Sequence, residues 1–145
     1  MNLEQQLSLA TSIAIGVHKG QFDKNDKPYL NHVFRVMNAG QTIQEKIVGV
    51  LHDVIEDSDM TIEDLINYGF ETDILDAVNA MTHYENEDYD EYIDRVISNP
   101  IAIRVKINDL TDNMDMRRLK IMDDESIGRL KRYFSAYNKI INSFK

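Results

Sequence analysis

Very little in this chain would interrupt a helix. Two prolines and six glycines punctuate 145 residues. Between them apolar side chains recur at spacings of three and four, and no run shows the convincing alternation of a half-buried strand. The spacing predicts an all-α fold. Leu3, Leu7, Ala10, Ala14 and Val17 define a first amphipathic helix that closes near Gly20. After a polar loop over 21–27, Pro28 and Tyr29 lead into a short helix from about Asn31 to Ala39, stopped by Gly40. Thr42 is placed to cap a third helix, with Glu45 completing a capping box. Its buried stripe of Ile43, Ile47, Val50, Leu51 and Val54 marks it as the central helix.

Thr61 with Asp64 signals another short helix, stopped at Tyr68-Gly69-Phe70, and a further helix is expected around Asp73 to Met81. Six acids and no base fall within Glu85–Asp94, which reads as a solvated loop and helix face. Asn99-Pro100 starts a helix running past Asp109 to about Asn113. The last helix, about 124–143, carries Ile127, Leu130, Phe134, Tyr137 and Ile141 on one face. We expect a compact single-domain bundle of about 7–9 helices, with residues 1–145 forming one unit large enough to bury a real core.

Cysteine is absent, so any metal must be held by nitrogen and oxygen ligands. The first residues show no basic stretch leading into an apolar core, and no apolar run approaches the ~18 residues of a membrane span. The expected setting is the cytoplasm, away from membranes. A net charge of −9 argues against a surface that neutralises nucleic acid. Residues 1–103 hold 6 basic and 19 acidic groups, whereas 104–145 hold 10 and 6, so a phosphate-bearing ligand would most naturally meet the later helices.

The residues that point to chemistry begin with His52-Asp53, read as lying within the buried third helix. Such a stripe seldom tolerates two adjacent ionisable groups without a partner. Glu56 and Asp57 follow one turn later, and three carboxylates beside an imidazole repel one another unless solvated, protonated or bound to a cation. Taken alone, the segment fits an exposed acidic helix end with a satisfied histidine better than it fits a site. His32 at the start of the second helix and Asp109 on the Pro100 helix change that balance. Two imidazoles and two carboxylates from three helices suit manganese, iron or zinc, and leave coordination positions for water and substrate.

The strings HKGQ from His18, KPYLNH ending at His32, LHDVIED over 51–57, Met81-Thr82 and VKINDLTDNM from Val105 occur in that order over roughly residues 6–120. In this the chain resembles the HD superfamily of metal-dependent phosphohydrolases, and more narrowly the hydrolase domain of RelA/SpoT alarmone enzymes and the small stand-alone alarmone hydrolases. The resemblance implies an HD-type helical bundle with one divalent metal on His32, His52, Asp53 and Asp109. Mn²⁺ is the usual family metal, with iron, zinc or cobalt as alternatives. It further implies Glu56 and Asp57 as the pair that orients or deprotonates water, and Lys24, Lys106 and Asn113 near the nucleotide. The implied reaction is hydrolysis of the 3′-pyrophosphate of a (p)ppGpp-type guanosine nucleotide.

The chain departs from the family's usual pattern at four places. Asp23 stands where a cation is common, Asp26 where a glycine is common, Val33 for a proline and Leu110 for an arginine. An anion at Asp23, in a loop that meets a charged nucleotide, is expected to repel phosphate, and Asp23→Arg to strengthen binding. Two rival functions remain: hydrolysis of another nucleotide or phosphoester, and nucleotide sensing around a structural metal. Of the remaining histidines, His18 reads as a packing residue or one that supports the ligands from outside, rather than a ligand, and His83 as a loop residue without a partner. Tyr84, Tyr89 and Tyr92 read as an exposed or half-buried helix face.

Overall fold

The computed structural model describes all of residues 1–145. Eight α-helices account for the architecture: α1 Leu3–His18, α2 Tyr29–Ala39, α3 Ile43–Leu51, α4 Ile62–Tyr68, α5 Thr72–Met81, α6 Tyr89–Ile97, α7 Ala102–Asn113 and α8 Asp124–Asn142. A single 3₁₀ turn, Met116–Arg118, joins the last two. The only extended pairing is an isolated bridge between Phe22 and Pro28 that closes the loop after α1. No helix is long and apolar enough to cross a membrane.

The local signals act where the sequence places them. Thr42/Glu45 and Thr61/Asp64 both form reciprocal capping boxes. Gly69 ends α4 in the left-handed region at φ 92°, a conformation that a Cβ would oppose. The Asn99 side chain accepts the N–H groups of Ile101 and Ala102 and so starts α7. α3 is central as expected. It packs against α1, α2, α5 and α7, and its Ile47, Val48, Val50 and Leu51 are fully buried within one contiguous core of 26 residues. Gly49 sets its approach to α2, since a Cβ there would stand 3.1 Å from the Met37 Cα.

Two expectations need correction. His52 and Asp53 do not lie inside α3 but in the tight turns just after it. His52 Nδ1 hydrogen-bonds the Gly49 carbonyl at 2.6 Å, the acceptor that a continuing helix would offer to Asp53, so the side chain competes with the backbone and ends the helix. On α8 the face turned to the core is Ala136 and Ile140, flanked by Tyr133 and Tyr137. Ile127 and Phe134, expected on the packed face, are 37% and 60% exposed. This helix packs against α6 and α7 alone, which leaves part of its apolar set uncovered.

Candidate metal centre

Three segments bring the chemistry to one place: the start of α2 supplies Tyr29 and His32, the turns after α3 supply His52, Asp53 and Glu56, and α7 supplies Lys106, Asp109, Asp112 and Asn113. His32, His52 and Asp109 are buried, and one donor atom from each lies within 4.8 Å of the others. Asp109 Oδ1 sits 3.0 Å from His32 Nε2 and 3.3 Å from His52 Nε2. Asp53 joins them through Oδ2, which is 2.9 Å from His52 Nε2 and 4.0 Å from His32 Nε2, and which also accepts the Tyr29 hydroxyl.

The hydrogen bonds outside the cluster fix how its imidazoles face. His32 Nδ1 is 2.6 Å from Asp112 Oδ2, and His52 Nδ1 is 2.6 Å from the Gly49 carbonyl. An oxygen acceptor at Nδ1 places a proton there, so each Nε2 turns a lone pair toward the carboxylates when the ring is neutral. His52 Nε2 is buried and has no hydrogen-bond partner. Inward lone pairs facing carboxylate oxygens require positive charge between them, supplied by protons or by a cation. Burial opposes ring protonation, but Asp53 and Asp109 outweigh it at His52, and hydrogen bonds accepted by Asp109 and Asp112 do so at His32; both imidazoles are pushed up. Burial likewise opposes ionisation of Asp109, yet Lys106 and the two histidines hold it well below the usual carboxylate range. Two imidazoles and two carboxylates in this arrangement fit a divalent ion with nitrogen and oxygen ligands.

Around the donors runs a cleft. A cavity of about 170 Å³ is walled by His52, Asp53, Glu56, Asp109, Tyr89 and Tyr92, among others. A second, of about 290 Å³, shares Tyr29, Asn113 and Tyr133 with it and carries Lys24, Arg118 and Arg129. Glu56 stands at the mouth. Its Oε1 accepts the His83 N–H at 2.5 Å, and burial, with the charge of Asp53 second, raises it to about 7 although part of the side chain meets water. Asp57 turns away toward α1, where Oδ2 accepts the Gln21 amide at 3.0 Å and lies 3.8 Å from His18 Nδ1.

The remaining expected ligand contacts divide. Lys24 lines the second cavity, and Asn113 lines both while donating to Asp109 Oδ1 at 3.1 Å. Lys106 is buried, bonded to Asp109 Oδ2 at 3.0 Å and placed over the Tyr92 ring. His83 is not partnerless: it bonds the Glu87 carbonyl at 2.7 Å and stacks on Tyr92. Nor is Asp23 a bare anion facing the cleft. Its Oδ1 accepts the N–H groups of Asn25 and Lys27, and its Oδ2 bonds Arg118 at 3.2 Å, so the expected repulsion is already compensated. Asp26 takes up the glycine-like conformation at φ 61°. Sequence reading missed Tyr29, Asp112 and Arg118, whose contacts with Asp53, His32 and Asp23 span 24, 80 and 95 residues of chain.

No protein-family model matches the chain. A solved structure described as a metazoan ortholog of SpoT that hydrolyses ppGpp and plays a role in starvation responses shares its fold. The TM-score is 0.76 and the identity 23%, with 97% of this chain and 85% of that chain covered. The resemblance read from the sequence thus extends to the three-dimensional architecture.

Proposed function

We propose that the protein is a metal-dependent phosphohydrolase that removes the 3′-pyrophosphate of a guanosine nucleotide of the (p)ppGpp type. The observation that carries this reading is the convergence of His32, His52, Asp53 and Asp109 beside a cleft whose mouth holds Glu56. The fold's likeness to that of a ppGpp hydrolase supports the choice of substrate class. These four residues would hold one divalent ion, Mn²⁺ by preference. Such an ion lowers the pKa of bound water and polarises a phosphoryl oxygen.

In this reading water adds to the phosphorus attached to the ribose 3′ oxygen, that P–O bond breaks, the 3′ oxygen takes up a proton and pyrophosphate leaves. Glu56 accepts the proton of the attacking water. A carboxylate raised toward neutrality is well matched to that task. Asp57, the other member of the pair the family resemblance implies, faces Gln21 and His18 and would act on the water only through that hydrogen-bonded side, while Asn113 and Lys106 fix Asp109. Lys24 meets the nucleotide in the adjoining cavity. We place this activity in the cytoplasm.

The test is a panel of phosphorylated nucleotides incubated with Mn²⁺ and scored for pyrophosphate against orthophosphate. Pyrophosphate release from the guanosine 3′-pyrophosphate substrate alone supports the reading. Preference for another nucleotide or phosphoester moves the substrate while keeping the metal chemistry. No release from any member returns the protein to the sensing alternative.

A further inference from the structure

Arg118 sits on the 3₁₀ turn after α7, and its guanidinium joins two carboxylates that belong to different parts of the site. Nη1 donates to both the carbonyl and Oδ2 of Asp112 at 2.9 Å, and Nη2 donates to Oδ2 of Asp23 at 3.2 Å. The three side chains are 18%, 12% and 9% exposed, so solvent screens this arrangement only partly. Asp112 passes the constraint inward, since the oxygen that meets Arg118 is also the one 2.6 Å from His32 Nδ1. Asp23 passes it outward. Its other oxygen organises the turn over Asn25 and Lys27, and Lys120 adds two bonds to the same loop through Asn25 and Asp26. That loop ends at Tyr29, whose N–H bonds the Gln21 carbonyl and whose hydroxyl holds Asp53.

We propose that Arg118 is a positioning residue that latches the 21–28 loop to the orienting carboxylate of His32, so that Asp23, which touches no metal-binding residue, helps set the affinity of the centre for a divalent ion. The inference rests on the metal reading above. Outer-layer partners of metal-binding histidines commonly account for 10- to 100-fold in affinity. Arg35 also bonds Asp112 but its side chain is 45% exposed and makes no bond to the loop, which makes it the internal control.

The experiment is calorimetric titration of Mn²⁺ into the metal-free full chain for the wild type, Arg118→Gln, Asp23→Asn, the double variant of these two, Arg118→Lys, Arg35→Gln and Arg35→Gln combined with Asp23→Asn. Asn at 23 keeps the turn's oxygen acceptor and removes the charge. We expect Arg118→Gln to weaken binding about tenfold. Asp23→Asn should weaken it less, and the double variant no further than Arg118→Gln, because the two act through one contact. Arg118→Lys should recover part of the loss, and it carries the comparison if the glutamine variant fails to fold. Arg35→Gln combined with Asp23→Asn should be additive. Wild-type binding with every variant within twofold of it overturns the latch and leaves the metal reading standing. No binding by the wild type overturns both.

Discussion

The backbone N–H of His83 donates to the Glu56 carboxylate at 2.5 Å, tying the mouth of the cleft to the loop after α5 across 27 residues of sequence. Glutamine keeps an oxygen acceptor for that N–H but cannot take a proton from water. Glu56→Gln is therefore expected to lower kcat by about 10²–10⁴-fold while Mn²⁺ still binds. Kinetics and calorimetry on one preparation check this. Full activity would move the water-activating role to Asp57 or to the metal alone.

The same carboxylate predicts a pH dependence of stability. Burial first, and Asp53 second, raise Glu56 to about 7 from an ordinary 4.5. Between those values the folded metal-free protein holds a proton that the unfolded chain has released, so the contribution of Glu56 to stability falls as pH rises through that window. Glu56→Gln removes the loss, so the variant should gain on the wild type between pH 4.5 and 8. Urea unfolding of both metal-free proteins at several pH values measures the difference, and a pH-independent gap would count against it. A bound cation favours the ionised form, so the acidic limb of activity is expected below pH 7.

A ligand that binds only the folded state raises its stability, by about 2.7 kcal/mol at a hundredfold excess over Kd. Saturating Mn²⁺ should accordingly raise Tm, and Asp53→Ala should abolish most of the shift, because it removes a carboxylate lying 2.9 Å from His52 Nε2. Equal melting temperatures for the wild type with Mn²⁺ and with chelator would contradict the site.

Substituting Asp23 tests how far the structure changes the sequence-based expectation. Its oxygens serve the loop turn and Arg118, so Asp23→Arg would set two guanidinium groups against each other and lose the turn's acceptor. KM should rise rather than fall. Steady-state kinetics with the substrate identified by the panel decide between the two.

Packing between α2 and α3 yields a further prediction. A methyl group at Gly49 would meet the Met37 backbone at 3.1–3.2 Å, in the turn whose carbonyl holds His52. Gly49→Ala is expected to cost about 1–3 kcal/mol by overpacking, read by chemical denaturation. An unchanged midpoint would show that the helices separate freely.

What was legible in the chain is local. Thr42 with Glu45, Thr61 with Asp64, Gly69 and Asn99 each act on neighbours within a few residues, and the helix starts and stops follow from them. His32, His52, Asp53 and Asp109 were legible as an ordered pattern of donors, and the structure brings all four together. The bracing role of Arg118, Asp112 and Asp23 was not: Asp23 stood out only as a departure from the family pattern, and Arg118 reaches it across 95 residues only when the 3₁₀ turn folds back on the first loop. α8 shows the same limit. Period alone cannot tell which part of a wide apolar face is covered, so Ile140→Ala should cost about 2–5 kcal/mol whereas Phe134→Ser, at an exposed position, should cost far less.

The most direct measurement of the central claim is pyrophosphate release from guanosine 3′,5′-bis(diphosphate) by the wild type and Asp53→Ala, each with Mn²⁺ and with chelator. The account predicts stoichiometric pyrophosphate and the guanosine 5′-diphosphate from the Mn²⁺-loaded wild type, with strong loss in the other three conditions. Equal release by Asp53→Ala, or release unaffected by chelation, would contradict it.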